Sequence, residues 1–133
     1  MFKTILFPID MSPEAHHAAA LVMELVKQHQ SHLVLLSVVE SQPTPEHPEQ
    51  SSSEAVAKLL ADAQDMFTQK GIESKTVEQE GQPAFVICDV ADEIQADLIV
   101  MGCRGIGLVE DIATESVTNR VINLAPCPVL VVP

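Results

Sequence analysis

The chain has 133 residues, and its nineteen Asp and Glu against seven Lys and Arg give a formal net charge of −12. Its length predicts a single domain over residues 1–133 with a core of its own. The acidity would repel a phosphate backbone, and no local basic patch offsets it, so nucleic acid is not an expected partner. There is no apolar run long enough to span a bilayer, so no membrane partner is expected either.

The first predicted elements are strand, helix and strand. An apolar run over Lys3–Ile9 predicts a buried strand, which Pro8 and Asp10 end too early for a secretory signal. We therefore expect a cytoplasmic protein. Pro13, preceded by Ser12 as N-cap, begins a helix whose apolar residues recur at helical spacing. The Leu- and Val-rich segment His32–Val39 predicts the second strand.

A proline- and serine-rich segment then interrupts the periodic pattern. Residues Ser41–Ser53 contain three prolines and end in three serines, which predicts a mobile surface loop within the domain. Ser51 and Glu54 have the spacing of a capping box and predict the start of the second helix. Gly71 is the predicted stop of that helix.

The second half of the chain repeats the alternation. It predicts a weakly alternating edge strand over Ile72–Glu80, and then a helix that begins at Pro83. A strand over Asp97–Met101, a helix over Ser116–Leu124 and a last apolar strand over Val129–Val132 follow. Such alternation predicts an α/β fold with a parallel sheet covered by helices on both faces. In sheets of this kind, ligands bind beyond the carboxyl ends of the strands, where the strand order reverses.

The cysteines do not form a recognisable site. Cys88, Cys103 and Cys127 are isolated, with no Cys-x-x-Cys pair, which argues against a disulfide framework or a structural zinc site. Cys88 falls in an apolar helix pattern and is expected in the core. A redox role for Cys103 is the alternative to a passive position in its loop. The histidines show no ligand spacing, so no metal site is predicted.

Two predicted strand ends carry the candidate chemistry. Asp10 follows the first strand and Gly102 follows the fourth, so both would line one crevice if these strands are neighbours. Gly102-x-x-Gly105 then leads to a helix start, an arrangement whose backbone N–H groups can attract an anion. The dinucleotide fingerprint Gly-x-Gly-x-x-Gly and the Walker phosphate loop are both missing.

Four segments together resemble the universal stress protein family over essentially the whole chain. They are Ile-Leu-Phe-Pro-Ile-Asp (5–10), Leu-Leu-Ser-Val-Val-Glu (35–40), Asp-Leu-Ile-Val-Met-Gly-Cys-Arg-Gly (97–105) and Ala-Pro-Cys-Pro-Val-Leu-Val-Val (125–132). The resemblance implies a five-stranded Rossmann-like domain of the adenine nucleotide alpha hydrolase-like type. It also implies a homodimer through the last strand and two subgroups, of which one binds ATP.

The same resemblance assigns roles in nucleotide binding. Asp10 would meet the ribose, Val38 would bind adenine through its backbone, and Gly102 would contact ribose or phosphate. The remaining assignments are Pro8, Ile9 and Met101 to the base pocket, and Gly105, Ser116 and Val117 to the phosphates. Arg104, which lies in the glycine turn, could neutralise phosphate or be a solvated loop residue.

Glu115 departs from the pattern of the ATP-binding subgroup, Gly-x2-Gly-x9-Gly-Ser/Thr, because it occupies the position of the third glycine. A carboxylate beside a phosphate costs about 1 to 4 kcal/mol, depending on the local dielectric. AMP reaches less far than ATP and should lose less affinity. Alternatively, Glu115 turns into solvent and acts as a favourable acid in the first turn of the helix.

These observations leave three functions open. The first is a stress-response signalling module that binds ATP or AMP, with Mg²⁺ if the ligand is a triphosphate, and reports occupancy to an unknown protein target. The second is a nucleotide-independent dimeric interaction module. The third is a slow ATPase, although no nucleophile–base pair or transition-state lysine is evident and no catalytic residue is predicted.

The last strand is the predicted dimer interface. Its residues Val129, Leu130, Val131 and Val132 would leave a bare apolar edge in a monomer, and such edges invite pairing. A symmetric homodimer is the simplest partner. The alternative is that the protein's own helices cover this strand.

Overall fold

The computed structural model describes residues 2–10, 13–39, 53–102 and 117–133. Within these ranges strands and helices alternate as the sequence predicts. The elements are β1 (Thr4–Pro8), α1 (Pro13–His29), β2 (His32–Val39), α2 (Ser53–Gln69), β3 (Ser74–Glu80), α3 (Pro83–Glu93), β4 (Leu98–Gly102), α4 (Val117–Leu124) and β5 (Val129–Val132). Among these described helices, none has the length and apolarity that crossing a bilayer requires.

The five strands form one parallel sheet in the order β3-β2-β1-β4-β5. The chain therefore builds outward from β1 to β3, returns to the other side of β1, and adds β4 and β5. The strand order reverses between β1 and β4, which confirms that these two strands are neighbours. The α/β fold with a parallel sheet is confirmed.

Each face of the sheet buries its own core cluster. Strand residues such as Ile5, Phe7 and Leu35 pack on one face with α1 and α2, and this is the α1/α2 cluster. Leu6 and Ile99 pack on the other face with α3 and α4, and this is the α3/α4 cluster. Strands that are apolar on both faces need helices on both faces, because burial of apolar area is the main stabilising contribution.

Several predicted boundaries shift by one or two residues. Ser53, which the sequence predicts as the end of the loop, is the first residue of α2. Gly71 does end α2, with φ of +80°, and the Ile72 amide donates to the Phe67 carbonyl at 2.9 Å as the chain turns back. β3 is an edge strand as predicted, and Cys88 is buried in the core as predicted.

Some predicted features lie outside the described residues. These are the N-cap Ser12, the loop up to residue 52 with the capping-box Ser51, and the glycine turn with its acidic continuation over 103–116, which includes Cys103.

Candidate functional site

The carboxyl ends of β1 and β4 meet where the strand order reverses. The two strands pair at Ile5–Leu98 and Leu6–Ile99, and this pairing ends before β1 reaches Pro8 and before β4 reaches Gly102. Proline has no N–H and cannot donate to a ladder. A crevice is therefore expected to open between the two strand ends, at the place where parallel sheets bind ligands.

The end of β1 is hydrogen-bonded to β2, on the side away from this crevice. The Ile9 amide donates to the Leu36 carbonyl at 2.8 Å, and the Ser37 hydroxyl donates to the Ile9 carbonyl at 3.1 Å. The Ile9 side chain is buried in the α1/α2 cluster. These contacts fix the backbone immediately before Asp10, which is partly exposed at the end of the strand.

The end of β4 is hydrogen-bonded to the start of α4. The Thr118 hydroxyl donates to the Gly102 carbonyl at 3.3 Å, and the Thr118 side chain is buried. Val117, the first residue of α4, packs against the α3/α4 cluster. Because a helix N-terminus carries partial positive charge, this arrangement sets an anion-attracting group beside the end of the sheet.

The predicted base-pocket residues fall on two faces of the sheet. Met101 is buried in the α3/α4 cluster and Val38 packs against it, so these two side chains share a face. Ile9 belongs to the α1/α2 cluster on the opposite face. Its contribution to a pocket beside Met101 would therefore come from its backbone. Pro8 is half-buried at the end of β1.

Four predicted site residues lie outside the described ranges: Arg104, Gly105, Glu115 and Ser116. The structure makes β1 and β4 neighbours at the reversal point and joins the start of α4 to the end of β4 through Thr118. The described candidates at these strand ends and at the helix start, namely Pro8, Ile9, Asp10, Gly102 and Val117, therefore lie at the same end of the sheet. The sequence reasoning did not single out Ser37 or Thr118. The available signal for Ser37 was a hydroxyl within the apolar run Leu-Leu-Ser-Val-Val.

Charged side chains also lie at this end of the sheet. Glu80 ends β3 at the same edge, and Asp10 follows β1, so the nearby described side chains include carboxylates. In the described parts of the chain, no three His, Cys, Asp or Glu side chains converge as a metal-binding group.

A concavity of about 660 Å³ lies at the opposite end of the sheet, where the strands begin, and none of the predicted site residues lines it. Its walls include Lys27 of α1 and two residues at the amino ends of strands, His32 of β2 and Lys75 of β3. Lys27 is in the last turn of α1, where a cation stabilises the negative end of the helix dipole. The charge of Lys27 therefore has a structural explanation.

β5 is the terminal strand of the sheet that the described residues form. Val129 packs against the α3/α4 cluster and Val132 against the α1/α2 cluster, whereas Leu130 is 36% exposed. Ile122 and Leu124 on the neighbouring α4 are about half exposed, at 51% and 50%. The described surface around β5 is thus apolar.

Comparison with known proteins gives a consistent picture. The sequence profile described as "Universal stress protein family" matches residues 1–133. A universal stress protein of Synechocystis sp. is 63% identical over 136 residues, covering 100% of this chain and 87% of that protein. The fold is also similar to a universal stress protein crystallised in complex with cAMP, with a TM-score of 0.82, 20% identity and coverage of 99% and 97% of the two chains. An AMP-bound universal stress family protein of Arabidopsis thaliana aligns with a TM-score of 0.73 at 20% identity, covering 98% and 90%.

Proposed function

Because the chain belongs to the universal stress protein family, we propose that it binds an adenine nucleotide, ATP or AMP, where β1 and β4 diverge. In this proposal it is a regulatory module of the stress response, and its binding to another protein depends on whether the nucleotide site is occupied. The observation that carries the proposal is that β1, which Asp10 follows, and β4, which ends at Gly102, are neighbours where the strand order reverses, and that the start of α4 is hydrogen-bonded to Gly102.

The proposed binding mode follows from the resemblance to the universal stress protein family. Asp10 meets the ribose, the Val38 backbone and the Met101 wall hold the adenine, and the amide groups of the glycine turn and the start of α4 hold the phosphates. The AMP and cAMP complexes of proteins with the same fold support the choice of an adenine nucleotide. Mg²⁺ would accompany a triphosphate, since it bridges phosphate oxygens.

Calorimetric titration with ATP, ADP and AMP tests this function. We expect binding with AMP favoured over ATP, because Glu115 occupies the sequence position of the third motif glycine and a carboxylate there would repel the longer phosphate chain. Absence of heat at millimolar ligand would reject the nucleotide claim.

The competing function is a nucleotide-independent interaction module, and the substitution at Glu115 is the feature that favours it. Nucleotide binding by the unchanged protein separates the two functions, and Glu115→Gly tests whether this carboxylate is what weakens ATP. If Glu115 repels phosphate, the variant should bind ATP roughly 10-fold or more tighter, the equivalent of 1.4 kcal/mol or more. Glu80→Gln is the matched control, because it removes an exposed carboxylate from the end of β3. Improvement of the control by the same factor would indicate a general charge effect.

We also propose that the protein is a homodimer that pairs through β5, in which Leu130 and the exposed apolar residues of α4 become buried. Val131→Asp should dissociate the dimer, because a carboxylate would be buried without a partner. Thr76→Asp on the opposite edge strand is the control and should leave the dimer intact. Light scattering gives the mass, and a Val131→Asp protein with unchanged mass would contradict the interface.

We place the protein in the cytoplasm on the sequence argument alone. Fractionation of cells that produce the tagged full chain tests this location.

A further inference from the structure

Two polar residues, Ser37 and Thr118, are buried among the described residues, with 4% and 5% of their surface exposed. Both use their hydroxyls in the same way. Ser37 donates to the carbonyl of Ile9 at the end of β1, and Thr118 donates to the carbonyl of Gly102 at the end of β4. The two carbonyls lie on the two strands between which the order reverses.

We propose that Ser37 and Thr118 are positioning residues, which orient the peptide groups on either side of the crevice so that the proposed nucleotide can bind. This inference rests on the proposed function. It concerns residues that do not themselves need to touch the ligand.

The geometry at Ser37 supports this role. The Ile9 amide and the Ile9 carbonyl are both engaged by β2, through Leu36 and Ser37. The peptide that follows Ile9 is trans, so its N–H, which belongs to Asp10, points opposite to the Ile9 carbonyl. The Asp10 N–H is therefore directed to the β4 side, where the crevice lies. Loss of the Ser37 hydroxyl would remove one of the contacts that orient this peptide group.

The geometry at Thr118 supports a complementary role on the phosphate side. Thr118 is the second residue of α4, and its hydroxyl bonds the sheet instead of its own helix. This bond holds the helix N-terminus at a fixed distance from the end of β4.

Burial alone does not explain these hydroxyls. The neighbours of Ser37 in β2 are Leu and Val, and a buried polar group stabilises the fold less well than an apolar one of similar size unless it is fully bonded. An apolar residue of similar size would fill the core at either position but would leave the strand-end carbonyl without this donor. The shared use of both hydroxyls at the crevice is the feature that points to the ligand.

Calorimetry with adenosine, AMP and ATP on Ser37→Ala and Thr118→Val tests the inference. Ser37→Ala should weaken all three ligands by about 3- to 10-fold, the effect of losing one net hydrogen bond, because Asp10 lies on the ribose side. Thr118→Val should weaken AMP and ATP by a similar factor and leave adenosine unchanged. Ser37→Thr and Thr118→Ser keep the hydroxyl and should recover binding.

Phe67→Leu is the stability control, because Phe67 is buried in α2 near the opposite edge of the sheet. It should lower the unfolding free energy without changing affinity. If affinity instead falls with stability across all the variants, or if Ser37→Ala and Thr118→Val bind like the wild type, the positioning role is wrong.

A measurement without ligand separates this inference from the proposed function. The carbonyl-carbon NMR shifts of Ile9 and Gly102 report hydrogen bonds to those oxygens. Each should move upfield in its own variant and return in the hydroxyl-retaining one, with the Asp10 amide signal shifting in Ser37→Ala. Unchanged shifts overturn the positioning role even if the wild type binds nucleotide. Changed shifts with no nucleotide binding by the wild type reject the proposed function and leave the orientation of the two peptide groups established.

Discussion

Gly81 offers a sharp test of how the carboxyl edge of the sheet is built. It links β3 to α3 with φ of +148°, and its amide donates to the Val39 carbonyl at 2.9 Å, next to Val38 of the site. A Cβ at this position would lie 2.8 Å from Cγ2 of Val86, which is buried in the α3/α4 cluster. Gly81→Ala therefore combines backbone strain with a steric clash.

The two contributions can be estimated separately. Holding an L-residue in a sparsely populated backbone region costs about 1–3 kcal/mol. Forcing an extra methyl group against a packed side chain costs about 1–3 kcal/mol more. We expect Gly81→Ala to lower the unfolding free energy by roughly 2–6 kcal/mol.

Gly71→Ala is the matched control, because Gly71 also has positive φ, at +80°, but a Cβ there meets no atom within 4 Å. It should cost only about 1–2 kcal/mol, the backbone contribution alone. In the double variant Gly81→Ala/Val86→Ala, the clash is relieved while the strain persists. The loss of unfolding free energy in the double variant should therefore be about 1–2 kcal/mol smaller than the sum of the losses in the two single variants.

Urea unfolding followed by far-UV circular dichroism gives these values, since the chain has no Trp or Tyr for intrinsic fluorescence. Protein concentration is held constant, because dimerisation would add to the apparent stability. The steric contribution would be refuted if the losses of unfolding free energy were additive in the double variant. It would also be refuted if Gly71→Ala and Gly81→Ala lost the same amount.

Two further predictions concern the described core and edge. Asp97 accepts hydrogen bonds from the amides of Lys3 and Thr4 at 2.9 and 3.0 Å, so Asp97→Ala should cost about 1–3 kcal/mol in urea unfolding, and Asp97→Asn, which keeps an acceptor oxygen, should cost less. Equal losses in the two variants would show that the carbonyl acceptor adds nothing. Burial raises the pKa of the Cys88 and Cys127 thiols above the ordinary 9.0, and nearby carboxylates add to the effect. The unfolded chain then loses these protons first, so the stabilisation is present below pH 9 and declines as pH rises further. Cys127→Ala should make that decline shallower, and an unchanged slope would contradict the assignment.

The order of elements could be predicted from the sequence because it depends on local patterns. Pro13 and Pro83 begin helices where proline is tolerated, and Gly71 ends one at positive φ. The weak alternation before Glu80 marks a strand with much of its surface exposed, and β3 is an edge strand. The motif residues around Asp10 and Gly102 could be assigned to strand ends from the sequence, since strand ends are local as well.

The pairing of those ends was decided only by the tertiary structure. Strands that are apolar on both faces are compatible with many orders, so the placement of β1 between β2 and β4 depends on how all the helices pack together. This packing puts Ile9 on the opposite face from Met101. It also brings Ser37 and Thr118 to two strand-end carbonyls that lie 28 and 16 residues away in the chain. Sequence periodicity specifies which face of an element is apolar, whereas such hydroxyl–carbonyl contacts exist only after distant elements have been brought together.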